Sequence, residues 1–488
     1  MTLYKRYLAF FVILASASVP AVFAGSGVIL RHQRPVSHSY IVRLSASVPS
    51  DQVEQVSRAL AAAHNVVFER RGSAISIFRY AGHGFAGTMG DADARALSLD
   101  PLVDIVEENA WGNISSSPQT ITEPDMWYLD RIDGMDGKYW YSTDGTGVYV
   151  YVIDGGVERN HIEFDNDDDP TTSQSNPRVK DGPQFGSDSY LATNPGGGAL
   201  NDPDYRSGTH GTAVASIIGG KNIGVAKNVN IVPIKIANYD SGTQLLWWCW
   251  GLDWIASPPD PGGDIQRGNP YPKHGSVANM SMWIDAANPD PNIVLNAPIS
   301  SFEATVNDVV AAGVPLVVSA NNQANSNCTT TPARMAYTNQ GFATPYHVIS
   351  VGGTDEQDRL WRCQLYGDCV NVTPEHPQGS DPGSNTGPCV DMYAPAHNIK
   401  AAYNALVYDP NRGYVSGYYN YRLTDKSGTS FAAPIVTGIA ARLLQRFPNF
   451  TPQQLWTEIY YRAMSLPANF DGDGILSNDV LAHLGGNE

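Results

Sequence analysis

Short apolar runs alternating with helix-like stretches fill the chain from Val148 to Phe447, and no other feature limits the fold as strongly. Residues 148–153, 230–236, 276–282, 314–319 and 347–352 read as buried strands, and 212–218, 244–255, 302–312 and 435–447 as helices. Strands apolar on both faces and joined through helices build a largely parallel sheet with helices on both faces, so the fold class is α/β. Ligands in such sheets bind outside the carboxyl ends of the strands. Three long polar stretches, 165–206, 285–300 and 364–387, are rich in Asp, Asn, Pro and Gly and read as surface insertions.

A small α+β unit precedes the large one. Residues 40–44 alternate as a strand, 50–62 have helical periodicity with Ser50 as N-cap, and 75–78 form a second strand. Residues 91–97 read as a second helix and 103–107 as a closing strand, before a polar, aperiodic linker over 112–123. At the N-terminus, Lys5 and Arg6 precede the apolar run 8–15 and the small-residue site Val22-Phe23-Ala24. This pattern predicts a secretory signal cut after Ala24, hence a secreted protein without a membrane span. The net charge of −17 argues against a nucleic-acid partner. Secretion permits disulfides, and five cysteines leave at least one unpaired; Cys249, inside the apolar run 245–252, is the candidate buried thiol.

Three residues at strand or helix ends carry chemistry. Asp154 follows a buried strand and precedes Gly155-Gly156. His210 lies among small residues at the start of a helix, in Ser207-Gly208-Thr209-His210-Gly211-Thr212-Ala213. Ser430, in Gly428-Thr429-Ser430-Phe431-Ala432-Ala433-Pro434, falls in the first turn of a buried helix, beside free N–H groups and the positive end of the dipole. Taken singly, each has a structural role available, as turn cap, packed imidazole or N-cap. Together they follow one of the chain orders known for the catalytic triad.

These stretches resemble the subtilase family, most closely the proteinase K and aqualysin group. Val152-Ile153-Asp154-Gly155-Gly156, His210-Gly211-Thr212 with Val214-Ala215, and Gly428 to Pro434 are similar to its aspartate, histidine and serine motifs. Residues 40–107 resemble its inhibitor-type propeptide, and Trp127 to Ile132 the start of its mature enzyme. The resemblance implies a signal peptide at 1–24, a propeptide at 25–118 and a subtilisin-like peptidase domain at 119–488. It implies that Ser430 attacks the scissile carbonyl, His210 moves the proton, Asp154 orients His210, and Asn322 supplies the oxyanion amide. Ser281-Met282-Trp283 and Ser241-Gly242 match its substrate strands, which pair with an extended peptide. It also implies the disulfide Cys328–Cys389, with Cys363–Cys369 closing a small loop.

Some positions depart from the family pattern. Gly155, Ala213 and Ser216 replace common Ser or Thr, His and Gly. Asn321 replaces the Gly before the oxyanion Asn, at a turn whose positive φ asparagine tolerates. Trp283 replaces a pocket-lining Gly and predicts a shallower primary pocket. Asp391 matches a calcium position of the family, and the run 469–474 is similar to the front of an EF-hand loop with Val480 at its last position. The expected function is a secreted serine endopeptidase made as a self-processed precursor. Its partners would be protein and peptide substrates and its own propeptide. It would act as a monomer, needing no cofactor for catalysis, with structural calcium as an accessory. The alternative is a subtilase-fold protein that binds peptides without cutting them.

Overall fold

The computed structural model describes residues 27–32, 35–71, 74–114, 117–118, 126–133, 139–159, 161–164, 178–186, 205–238, 242–285, 300–326, 328–336, 348–363, 383–403, 407–409, 413–415, 422–466 and 480–483. The signal 1–24, Ser241, Cys369, the run 469–474 and most of the three insertions lie outside them. Among the described residues no helix is long and apolar enough to cross a membrane.

The central sheet runs in the order Asn230–Lys235, Tyr149–Asp154, Ser276–Met280, Leu316–Ser319, Ile349–Thr354, Met392–Pro395, Val480–Leu481, Met464–Ser465. All neighbours are parallel except the final pair. Side chains alternate across this sheet. Val150 and Val152 join a core with Phe431, Ile435 and Ile217, under the helices Tyr205–Gly219 and Thr429–Arg446. Tyr151 and Ile153 join another with Leu252, Ile255 and Phe302, under Leu245–Ala256 and Ser301–Ala311. Helices therefore lie on both faces, as the sequence requires of a sheet apolar throughout.

Several boundaries differ from the sequence reading. The first helix is Val53–Ala63; Ser50 opens a 3₁₀ turn, Ser50–Gln52, and makes no side-chain cap. The run 75–78 splits at Ser76, whose backbone and hydroxyl both turn to Glu69 O. Helix Tyr205–Gly219 begins well before residue 212, so His210 sits within it rather than at its start. The run 276–282 breaks at Ser281, and Met282–Asp285 leaves the central sheet for another. The closing strand runs to Ile114 instead of residue 107.

That last strand, Val103–Ile114, links the two units. In the small unit it pairs with Pro35–Leu44, which pairs in turn with Gly84–Thr88. Helices Val53–Ala63 and Asp91–Ser98 cover this sheet around Tyr40, Val42, Leu60, Phe85 and Leu97. The small unit then rests on helices Leu245–Ala256 and Ser301–Ala311. Asn109 Oδ1 accepts the Leu246 N–H at 3.0 Å, and Glu107 Oε2 accepts the Phe302 N–H at 3.2 Å. Both helices thus receive an N-terminal acceptor from the other unit. In return Asp253 accepts the N–H groups of Tyr80 and Ala81, and Asp308 that of Gly82.

Candidate active site

Asp154 ends its strand fully buried, its Oδ1 accepting the Gly155 N–H at 2.7 Å. His210 Nδ1 lies 3.0 and 2.8 Å from Asp154 Oδ1 and Oδ2. A carboxylate only accepts, so Nδ1 carries the proton and Nε2 presents a lone pair. Gly211 makes this approach possible: a Cβ there would stand 2.2 Å from Gly156 O and 3.1 Å from Asp154 Cβ. Lys235, opposite Asp154 in the parallel register and fully buried, donates to Gly155 O at 3.2 Å and Ala237 O at 2.8 Å. It fixes the turn behind Asp154, a role hidden in a strand that reads simply as apolar.

Ser430 lies in the first turn of helix Thr429–Arg446, behind Gly428, whose φ of +132° favours glycine. A chain of side chains fixes this turn. Thr437 Oγ1 donates to Asn279 Oδ1 at 2.8 Å, Asn279 Nδ2 to Ser281 Oγ at 3.0 Å, and Ser281 Oγ to Ser430 O at 2.8 Å. Ser430 Oγ donates to Ser281 O at 3.3 Å, while His210 Nε2 is buried and makes no hydrogen bond among the described residues. The structure brings Ser430, His210 and Asp154 into one site but does not join Ser430 to His210. Such bonds often tighten only with substrate in place.

Asn322 follows strand Leu316–Ser319 and faces the same helix end. Its Oδ1 accepts both the N–H and the hydroxyl of Thr429, at 2.9 and 2.8 Å. A backbone N–H can only donate, so the oxygen is assigned and Nδ2 points away from Thr429. Asn321 adopts φ +83°, and its Oδ1 accepts the Asn322 N–H at 2.5 Å. A second segment straps this loop. Gly383 and Asn385 N–H groups reach the carbonyls of Asn322 and Asn321, and Asn385 Oδ1 accepts the Gln323 and Asn325 N–H groups. The disulfide Cys328–Cys389, with Cα atoms 5.7 Å apart, closes the strap. Asn385 and Lys235 had no motif to reveal them in the sequence; Thr429 stood within the serine motif but had no role assigned there.

The end of the small unit's long strand lies between two strands of the large unit. Gly112 and Trp111 pair antiparallel with Thr243 and Gln244 of strand Gly242–Gln244. On the other side Ile114 pairs with Met282, and Asn113 with Trp283, which is itself buried. Beyond, Ser117 and Pro118 pair with Ser427 and Lys426 of strand Arg422–Ser427, just before Ser430. The linker read as aperiodic therefore begins as a strand. Its pairing rests on backbone groups, which need no apolar alternation.

Asp391 accepts the Ser350 N–H at 2.8 Å, and burial pushes its carboxyl up to about 7. Among the described residues no group of three or more His, Cys, Asp or Glu could hold a metal ion. Cys249 is a buried free thiol, and burial raises its pKa well above the usual value. Cys363 is disulfide-bonded.

Comparison with known proteins places these features. The description of the Subtilase family matches residues 145–476. The chain is 29% identical over 391 residues to the extracellular serine proteinase of Thermus sp. strain Rt41A, covering 79% of this chain and 72% of that one. It is 29% identical over 396 residues to the alkaline serine exoprotease A of Vibrio alginolyticus, covering 80% of this chain and 56% of that one. Among solved structures, fervidolysin from Fervidobacterium pennivorans, a keratinolytic enzyme related to subtilisin, shares the fold at a TM-score of 0.57. It is 18% identical, and the match covers 94% of this chain and 62% of that one. The chain belongs to the subtilase family of serine endopeptidases.

Proposed function

We propose that this protein is a secreted endopeptidase whose nucleophile is Ser430, with His210 as general base and acid, Asp154 as its orienting partner and Asn322 as oxyanion donor. In this reading Ser430 Oγ adds to the scissile carbonyl while its proton passes to His210 Nε2. The imidazolium so formed is stabilised by Asp154 at 2.8 Å. The developing oxyanion meets Asn322 Nδ2 and the Ser430 N–H at a helix N-terminus, donors already held in place. His210 then returns the proton to the leaving amine, and water hydrolyses the acyl-enzyme. Strands Gly242–Gln244 and Met282–Asp285 supply backbone pairing to an extended substrate.

We further propose that residues 25 to about 115 are a propeptide that inhibits its own peptidase and is removed by it. The carrying observation is the antiparallel insertion of residues 111–114 between the two strands proposed to bind substrate, with Ser117–Pro118 paired to the strand that leads into Ser430. The cut would then fall in the linker, between about residues 112 and 122. The test is expression of wild type and Ser430→Ala in a host lacking other proteases, followed by casein hydrolysis with and without a serine-directed phosphonylating reagent. Inhibitable hydrolysis by wild type, with Ser430→Ala accumulating uncut, is the expected result. A stable uncut wild type that binds peptides would instead select the non-catalytic reading.

A further inference from the structure

We infer that Glu356, His397 and Asn398 position the turn that presents Ser430, through a second imidazole–carboxylate pair beside it. This rests on the proposal that Ser430 is the nucleophile. His397 Nδ1 lies 2.9 Å from both Oε1 and Oε2 of Glu356, a geometry close to that of His210 on Asp154. A carboxylate only accepts, so His397 Nδ1 carries the proton. Asn398 Nδ2 donates to Glu356 Oε1 at 3.2 Å, so one carboxylate gathers two successive side chains. Burial pushes the Glu356 carboxyl up, but the bonds from His397 and Asn398 hold it below its ordinary value, and it is charged at neutral pH.

The central sheet explains why these residues meet. Strands Ile349–Thr354 and Met392–Pro395 are parallel, with Thr354 opposite Pro395, and the Ala396 N–H extends the ladder to Thr354 O at 2.8 Å. Glu356 and His397 follow that register level with each other. Asp355 fixes the first strand end, its Oδ1 accepting the Gln357 and Arg359 N–H groups at 2.9 and 2.8 Å. The second strand end runs to the turn before Ser430. Ala396 O accepts the Gly428 N–H at 2.7 Å, and the Asn398 N–H donates to Ser427 Oγ at 3.2 Å. Gly428, at φ +132° and without a side chain, cannot fix its own direction; the loop 396–398 fixes it. Asn398 itself sits at φ +49°, a cost that its bond to Glu356 offsets. The effect of the pair reaches Ser430 through Ser427 and Gly428, so these are positioning residues.

The experiment compares mature wild type, His397→Ala, His397→Asn and Asp358→Ala, each produced from the full-length chain. It measures kcat and KM on a short peptide, the rate at which a serine-directed reagent phosphonylates Ser430, and the melting temperature of the phosphonylated protein. Expected for His397→Ala is a fall of about tenfold in kcat and in phosphonylation rate, with KM within about twofold. His397→Asn, whose amide nitrogen stands where Nδ1 stood, recovers most of that loss. Asp358→Ala breaks the ion pair to Arg131 on the same loop and lowers the melting temperature, yet keeps the wild-type kcat. Wild-type rates in His397→Ala, a loss confined to KM, no recovery in His397→Asn, or an equal loss of kcat in Asp358→Ala each overturn the inference alone. Wild type that the reagent leaves unlabelled at Ser430 overturns the nucleophile assignment and the inference with it. If His397→Ala is not recovered folded, Glu356→Gln is measured in its place. It keeps the shape and one acceptor oxygen, and a loss of about threefold in kcat is expected; an unchanged kcat overturns the inference.

Discussion

Asn322 Oδ1 accepts two hydrogen bonds from one residue, the N–H and the hydroxyl of Thr429. The residue before the proposed nucleophile Ser430 thus sets the direction of the amide proposed to hold the oxyanion. Asn322→Ala should lower kcat on the order of 10²–10³-fold with little change in KM, because a donor that acts in the transition state is lost. Thr429→Val keeps the N–H bond and loses the hydroxyl, so a fall in kcat of about fivefold is expected. Steady-state kinetics on a short peptide substrate checks both; a change confined to KM would remove Asn322 from this role.

Arg131 and Asp358 form a two-pronged ion pair, Nε to Oδ1 at 2.7 Å and Nη2 to Oδ2 at 2.8 Å, with Arg131 nearly enclosed. It anchors helix Trp127–Arg131, the first helix beyond the proposed cut. Asp358→Ala leaves a buried guanidinium without its carboxylate and should destabilise the protein by about 1.5–3 kcal/mol. Thermal melts of the Ser430→Ala background, which avoids self-digestion, measure this directly.

Burial raises the Asp391 carboxyl to about 7. A raised acid favours the folded state while protonated, so its contribution is complete below the ordinary carboxylate range of about 4 and is lost as pH rises through about 7. Asp391→Asn should flatten the fall in stability over that window. Melts at pH 5 and 7.5 in the presence of a chelator test it; an unchanged slope would mean that another group titrates.

Glu107 and Asn109 each hold the N-terminus of a peptidase helix. Replacing either with Ala should weaken the grip of the small unit by about 0.5–2 kcal/mol, the usual worth of such a cap. His32 Nε2 lies 3.0 Å from Glu107 Oε1 and supports that carboxylate from the other side. The expected readout is a shorter lag before peptidase activity appears, with unchanged activity once mature.

The sequence made the sheet legible because each buried strand is apolar on both faces, as in 148–153 and 314–319, a pattern few other folds need. Asp154, His210 and Ser430 were legible because each stands among glycines and small residues that the approach of two elements requires, as Gly211 shows. Met392–Pro395 was missed: four residues after a polar stretch carry too little periodicity to be read. Residues 111–114 were missed for a different reason. Their strand exists only because two other strands, distant in sequence, leave a gap that backbone groups fill. Lys235 and Asn385 act through backbone carbonyls and N–H groups, partners that leave no mark in residue order.

One ten-stranded ladder runs from the small unit's sheet through residues 111–114 into the peptidase's own edge strands. Under the proposed maturation, severing one peptide bond leaves that ladder intact, so cutting and switching on are separate events with separate clocks. The first is set by chemistry inside a single molecule and is indifferent to concentration. The second waits for a whole domain to peel away, and any molecule already free can hasten it by digesting what its neighbours let loose. A population of such precursors would stay silent for a time and then awaken together, sooner in a dense culture than in a dilute one.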